Sequence, residues 1–331
     1  MILTLTPNPS LDRTIELAAA LNRGGVQRAV SAQQQPGGKG VNIARAMTAS
    51  DVECLALLPG SAEDAVLTAL RKQGIAHLGM PIGAALRSNV TITEPDGTTT
   101  KVNEPGPALS ATEQAELIGL AVSHSRDADW LVLAGSLPPG TEADFYPRVI
   151  EAVRGAWGPT APKIAVDSSG APLAEAVKAK PDLIKPNAEE LAELAVAAGL
   201  LDLPGRPGEA ESELEADPGL AARLARELVD LSVGAVLATL GARGAILVTP
   251  DGAWFGHGPK ITARSTVGAG DSALAGYLLA ELAGRSEPQC LQQAVAHGAA
   301  AAALPGSTVP AVAQTNPAAI TVAALTLKGQ S

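Results

Sequence analysis

The stretch Gly268-Ala269-Gly270-Asp271 holds residue types suited to work on an anion. Small residues let backbone N–H groups crowd around a phosphate. From Asp271 on, Ala273, Leu274, Tyr277, Leu278 and Leu282 carry a helical apolar pattern that runs up to Gly284. A helix starting there turns its free N–H groups and its positive dipole end toward the glycine turn. An acid at the mouth of such an anion hole repels phosphate, yet it suits a base that takes a proton from the nucleophile attacking that phosphate. Phosphoryl transfer with Asp271 as base is therefore one reading. A strand-to-helix turn capped by Asp is a second. A third takes Gly268-x-Gly270-x-x-Ala273 as a dinucleotide fingerprint, which would make the protein a nicotinamide dehydrogenase. That pattern belongs in a first βα unit with an acid about 20 residues on. Here it lies near the C-terminus, with Cys290 at that spacing.

Other stretches carry complementary groups. Pro36-Gly37-Gly38-Lys39-Gly40 with Asn42 reads either as a glycine-rich turn before a helix or as a sugar-phosphate clamp. In the second case Lys39 meets a phosphate and Asn42 serves hydroxyls. Asn8-Pro9-Ser10-Leu11-Asp12 follows the first apolar run, where parallel sheets bind ligands. Asp12 is there a bidentate acceptor for hydroxyls or a turn cap. In Lys185-Pro186-Asn187-Ala188-Glu189-Glu190, Asn187 and Glu190 stand three apart at a helix start. Two such oxygens with waters and phosphates suit Mg²⁺, but an N-cap with its capping-box Glu explains the pair equally simply and is the better reading of it alone. Thr239-Leu240-Gly241-Ala242-Arg243-Gly244 is another glycine turn after a strand-like run. No GxxxxGKS/T phosphate loop is present.

The elements that position these groups follow from periodicity. The 331 residues are 46% hydrophobic and 18% charged, enough for one large α/β unit with an ample core. Aromatics make up 2%, so the core is aliphatic and platforms for stacking bases are scarce. A net charge of −10 argues against nucleic acid and anionic membrane as partners. Cys54 and Cys290 are too few for a disulfide framework, and the four histidines are scattered, without metal-ligand grouping. The first residues run straight into a strand pattern with no basic leader, and no apolar run reaches about 18 residues, so a cytoplasmic protein is expected.

A strand is predicted over 2–6, and a short exposed strand over 26–35 within a polar stretch from 13. A helix follows over 41–47, a strand over 54–58 and a helix over 62–73. Two β-rich runs around Asp96-Gly97 predict a hairpin over 89–102. Beyond 110, helices (110–125, 142–155, 171–178, 188–198, 220–232) alternate with strands (130–134, 163–167, 182–185, 235–239). A hairpin around Asp251-Gly252 and a helix near 289–303 complete the pattern. Residues 202–219, rich in Pro, Gly and Glu, read as a surface insertion or mobile loop that lies between the motifs and should not disturb the site. The alternation implies a mostly parallel sheet with both faces covered.

Taken together, these stretches resemble the ribokinase-like carbohydrate kinases of the PfkB family over essentially the whole chain. The residues that carry the likeness are Asn8-Pro9-Ser10-Leu11-Asp12, Gly37-Gly38-Lys39-Gly40 with Asn42, Gly135-Ser136-Leu137-Pro138-Pro139-Gly140, Lys185-Pro186-Asn187 with Glu190, Thr239-x-Gly241-x-x-Gly244 and Thr266-Val267-Gly268-Ala269-Gly270-Asp271-Ser272. Asn8 to Asp12, the Gly-Gly-Lys-Gly-x-Asn run and Val102-Asn103-Glu104-Pro105-Gly106 are similar to the branch acting on phosphorylated ketohexoses.

The resemblance implies a single ribokinase-like domain over 1–331: a three-layer α/β/α with a mostly parallel central sheet, plus a small β-sheet lid from about 13–35 and 87–104. It implies Asp271 as base and Gly268, Ala269 and Gly270 as anion hole. Asp12, Gly38, Lys39, Asn42, Arg87, Asn103 and Ser136 would hold the sugar phosphate, and Lys185, Asn187, Thr239, Gly241 and Gly244 would contact ATP. Glu190, with Asn187, would organise Mg²⁺ through water. A monovalent cation and a homodimer formed through the lid are also implied for some members. Fructose 1-phosphate is the expected acceptor, with tagatose 6-phosphate and fructose 6-phosphate as alternatives. Some 6-phosphofructokinases of the family have a Lys where this chain has Gly24-Gly25 and a Gly where it has Lys39, which lowers fructose 6-phosphate among them. A sugar-phosphate sensor without catalysis is a further alternative, against which Asp271 speaks.

Overall fold

The computed structural model describes residues 1–200 and 209–327. The chain runs β1 (Ile2–Leu5), β2 (Ser10–Leu17), β3 (Ala29–Gly37), α1 (Lys39–Ala49), β4 (Cys54–Pro59), α2 (Ala65–Lys72), β5 (His77–Met80), β6 (Arg87–Thr93), β7 (Thr99–Asn103) and α3 (Ala111–His124). It continues with β8 (Trp130–Ala134), α4 (Phe145–Trp157), β9 (Lys163–Asp167), α5 (Gly170–Lys178), β10 (Leu183–Ile184), α6 (Ala188–Ala197), α7 (Glu209–Ala216) and α8 (Pro218–Asp230). The last elements are β11 (Val236–Thr239), β12 (Ala245–Thr249), β13 (Gly252–His257), α9 (Ala269–Leu282), α10 (Glu287–Ala302) and β14 (Thr321–Ala324).

The large sheet has the order β14-β13-β12-β11-β10-β9-β8-β1-β4-β5. It is parallel from β11 to β5, and β12, β13 and β14 close its other edge antiparallel. Its central strands are apolar on both faces because both are covered. Successive residues alternate between two cores: Leu3, Leu5, Leu131, Leu133, Ile164 and Val166 face α3, α4, α5, α6 and α8. Ile2, Ala56, Leu58, Val132, Ala165 and Leu237 face α1, α2, α9 and α10. α9 is buried from Asp271 to Ala280, which explains why its sequence is apolar nearly all round.

The second, smaller sheet, β3-β2-β6-β7, is built from the segments expected to form the lid. β2 pairs antiparallel with β3 and parallel with β6, and β6 pairs antiparallel with β7. This sheet starts before residue 13. β2 opens at Ser10, so Asp12 stands on a lid strand and not in a loop after β1. The short edge strands β5 and β14 lie outside the sequence expectation as well.

The expectation of a loop over 202–219 also changes. Residues 202–208 fall outside the described residues. Residues 209–216 form α7, whose Glu- and Ala-rich run favours helix and whose Leu214 is buried in the larger core. Asp217 then caps α8, accepting from the N–H groups of Gly219 (2.9 Å) and Leu220 (3.0 Å).

Candidate active site

The loops leaving β1, β8, β9, β10 and β11 open on one side, at the strands' C-terminal ends, and the first turns of α1 and α9 close in above them. Gly268 is the N-cap of α9 in the left-handed region (φ 76°), a conformation costly for any residue with a side chain. The helix starts at Ala269, two residues earlier than expected, so Asp271 sits inside its first turn, beside that turn's free N–H groups. Asp271 is 8% exposed, and its Oδ2 accepts from Asn42 Nδ2 at 2.8 Å.

Two lysines converge on an acid that motif reading overlooks. Asp167 ends β9, is fully buried, and its Oδ1 accepts from Lys39 Nζ at 2.6 Å and lies 3.3 Å from Lys185 Nζ. Its Oδ2 is buried without a hydrogen-bond partner. Lys39 also lies 3.5 Å from Glu190 Oε1. Lys39 is thus aimed at the acids of this central cluster. Lys185 is 3% exposed and lies under α9, its Nζ 3.4 Å from where a side chain on Gly270 would begin.

These charges set the titration of the site. Burial pushes the Asp271 carboxyl up, the negative charge of Asp167 adds to this, and Lys39, Asn42 and Lys185 oppose it; the result is about 6. Burial alone would lower the Lys39 ammonium, but Asp167, Glu190 and Asp271 together hold it well above the ordinary lysine range. A buried acid titrating near neutrality is poised for proton transfer.

Asn187 and Glu190 form a full capping box at the start of α6. Asn187 Oδ1 accepts from the Glu190 N–H at 2.7 Å, and Glu190 Oε2 accepts from the Asn187 N–H at 2.9 Å. The oxygen of Asn187 is therefore engaged in the cap, and it is Glu190 Oε1 that faces the cluster. Asn187 also bridges Thr239, and Gly241 and Gly244 carry the turn after β11 with φ of 53° and 118°. α7 touches this turn, since Arg243 Nη2 donates to the Ala216 carbonyl at 3.2 Å.

On the lid side, Asp12 Oδ1 accepts from Ser10 Oγ (2.7 Å) and Asn89 Nδ2 (3.0 Å). Its Oδ2 lies 2.1 Å from the position of a Cβ on Gly37, so only glycine leaves room for this carboxylate. Arg87 donates to the carbonyls of Asn8 (3.0 Å) and Glu104 (3.1 Å), and its Nε is buried without a partner. Asn8 Nδ2 in turn donates to the Pro105 carbonyl at 3.1 Å and reaches the exposed Ser136 hydroxyl at 3.4 Å. Asn103 is exposed at the end of β7, paired in register with Asn89. Gly38, with φ 109°, is the N-cap of α1.

The structure therefore brings Asp271, Asn42, Lys39, Lys185 and Glu190 into one cluster and Asp12, Arg87 and Ser136 into another beside it. Asp167, Asn8 and Asn89 are added by the fold. The signal for Asp167 is modest: an acid ending an apolar strand run. For Asn89 it is the hairpin strand, which sets it opposite Asp12.

A parallel sheet whose strand ends present paired lysines, a buried carboxylate and a helix N-terminus defines a phosphotransferase of the ribokinase-like α/β class. The family model described as pfkB family carbohydrate kinase matches residues 6–314, and the chain belongs to that family. A 1-phosphofructokinase of Haloferax volcanii is 35% identical over 94% of this chain and 93% of its own length. A 1-phosphofructokinase of Bacillus subtilis is 30% identical over 84% of each. Among solved structures, phosphofructokinase-2 from Escherichia coli in complex with potassium superposes with a TM-score of 0.81 at 26% identity, covering 95% of this chain and 96% of that one. Family membership sets aside the dinucleotide reading of Gly268-x-Gly270-x-x-Ala273.

Proposed function

We propose that the protein transfers the γ-phosphoryl group of ATP to the free primary hydroxyl of fructose 1-phosphate, giving fructose 1,6-bisphosphate and ADP. The observation that carries this reading is Asp271: a buried carboxylate inside the first turn of α9, held by Asn42, opposite two lysines joined through Asp167. Asp271 takes the hydroxyl proton during attack. The first-turn N–H groups from Gly268 to Gly270, with Lys39 and Lys185, offset charge on the transferring group, a largely electrostatic task. The sugar phosphate lies under the lid, its hydroxyls at Asp12 and its phosphate toward Arg87, with Asn103, Ser136, Gly38 and Asn42 around it. The nucleotide lies along the β10 and β11 edge, past Asn187, Thr239, Gly241 and Gly244.

Oxygen donors fit Mg²⁺ at this edge. Glu190 Oε1 and the unpartnered Asp167 Oδ2 would hold it through water, in place of the engaged Asn187 oxygen. The ion supplies charge neutralisation on the nucleotide phosphates. Extending to this chain the potassium found with the E. coli protein, we also propose a monovalent cation requirement. The residues 1–331 would act as one domain with its lid. Exposed Val26, Val30 and Val102 on the lid layer support pairing of two chains there, which light scattering in solution checks. No helix among the described residues is long and apolar enough to cross a membrane, and a cytoplasmic setting is part of the proposal.

The test is ADP release with fructose 1-phosphate, fructose 6-phosphate and tagatose 6-phosphate, each with and without potassium. The highest kcat/KM is expected for fructose 1-phosphate. A preference for either other sugar phosphate would reassign the substrate, and ADP release with none of them would remove the kinase reading.

A further inference from the structure

Arg45 is a buried cation that no site motif includes. It lies on α1, one turn after Asn42, and is 7% exposed. Its guanidinium makes four hydrogen bonds, all to neutral acceptors. Nε donates to Gln73 Oε1 (3.2 Å) after α2, and Nη2 donates to Gln35 Oε1 (2.7 Å) on lid strand β3. Nη1 donates both to Asn42 Oδ1 (3.2 Å) and to the Ser307 carbonyl (2.9 Å) beyond α10. Gln35 Oε1 also accepts from Ser307 Oγ at 3.1 Å. The one opposing charge that acts on it is the Asp12 carboxylate, which makes no hydrogen bond to it. Burying a guanidinium hydrogen-bonded only to neutral groups costs free energy that an apolar residue of similar size would not. Core filling does not account for such a choice.

We infer that Arg45 is a positioning residue for phosphoryl transfer: it locks the Asn42 amide so that Nδ2 faces Asp271, and it ties lid strand β3 to the same point. An amide presents an acceptor on one side and a donor on the other. Turned over, Asn42 would set its oxygen against the Asp271 carboxylate and its NH₂ against the Arg45 guanidinium, so both contacts become repulsive. With Arg45 in place one orientation is strongly favoured. The charge on Arg45 also polarises the amide and makes Nδ2 a stronger donor to Asp271. Gln35 links this pair to the lid, so closure over the sugar phosphate and alignment of the base share one anchor. The inference rests on Asp271 being the base.

The experiment is a double-mutant cycle with ATP·Mg²⁺ and fructose 1-phosphate: Arg45→Met, Asn42→Ala and both together. Arg45→Met is expected to lower kcat by about tenfold or more with the KM for ATP within about twofold, and to cause no further kcat loss in the Asn42→Ala background. Equal fractional losses in both backgrounds, or an unchanged kcat, would overturn the inference. If circular dichroism shows Arg45→Met unfolded, Arg45→Lys takes its place in the cycle, because lysine keeps the cation but cannot span Asn42 and Gln35 together. Asp271→Asn separates the two ideas. Normal turnover in that variant removes the base reading itself, whereas lost turnover with an additive cycle removes only the role of Arg45.

Discussion

Asn42 donates to Asp271 across 2.8 Å, joining the first turn of α1 to the first turn of α9 over 229 residues of sequence. The glycine turn that leads into α1 and the one that leads into α9 are thereby held as one structure. The bond also has an electrostatic consequence: it stabilises the charged form of an acid that burial and Asp167 push the other way. Asp271 thus stays basic enough to accept a proton and acidic enough to be ionised at neutral pH.

Replacing Asp271 by Asn removes the proposed base and keeps the shape. Turnover is expected to fall by about 10²–10⁴-fold. Stability should move the opposite way. The Asp271 carboxyl titrates at about 6 in the folded chain, above its ordinary 3.8, so its contribution is present below pH 4 and is lost as pH rises through 6. Asn carries no such loss. The variant should therefore melt higher than the parent at pH 7.5, with the gap closing toward pH 4. Thermal melts at both pH values check this; an equal gap at both would contradict the burial of a charged Asp271.

The pH dependence of kcat/KM should show an acid limb near 6, activity rising as Asp271 loses its proton. Asp167 raises that value through its charge, so Asp167→Asn should move the limb to lower pH as well as reduce kcat, because Lys39 and Lys185 lose their shared acceptor. A limb that stays in place while kcat falls would show that Asp167 acts on the lysines alone.

How much of this was legible in the sequence depends on how local each cause is. The capping box of Asn187 and Glu190 is visible three residues apart, and so is the turn before α9. The helix–strand alternation fixes the layers, since strands buried on both faces are apolar throughout. Asp167 is different. In sequence it is only the polar end of an apolar run, and its meaning comes from Lys39, 128 residues away. Arg45 is equally silent until Gln35, Gln73 and Ser307 fold around it. β5 and β14 are held by pairing at sheet edges and not by their own composition, and α7 is hidden by the Pro and Gly residues that precede it.

The lid offers a prediction that separates the two substrates. Gly37→Ala sets a Cβ 2.1 Å from Asp12 Oδ2, so the Asp12 carboxylate must leave its bonds to Ser10 and Asn89. Arg87→Ala removes the bonds that hold the Asn8 and Glu104 carbonyls. Both variants should raise the KM for fructose 1-phosphate by about tenfold or more and leave the KM for ATP within about threefold. Steady-state kinetics in both substrates decides; parallel rises would mean that the lid residues act on the whole site and not on the sugar.

The proposed base also depends on packing behind it. α9 meets α10 closely at Gly276, where a Cβ would lie 2.6 Å from the Gln293 carbonyl oxygen and 2.9 Å from His297 Cβ and Cγ. Helix propensity alone favours Gly276→Ala by about 1 kcal/mol. The clash opposes it, and it wins because a helical backbone carbonyl cannot swing aside as a side-chain tip can; overpacking of this kind costs about 1–3 kcal/mol. His297 makes the seam less forgiving. It is fully buried, its Nδ1 takes part in contacts with Gln293, and burial pushes its imidazole down to about 4, so it is neutral in the folded chain. A helix displaced here would shift the first turn of α9 and with it the distance from Asp271 to Asn42. Gly276→Ala should therefore lower both the melting temperature and kcat. Denaturant unfolding with activity measured on the folded fraction tests the pair of effects, and a variant as stable and active as the parent would show that the α9–α10 contact is looser than its geometry implies.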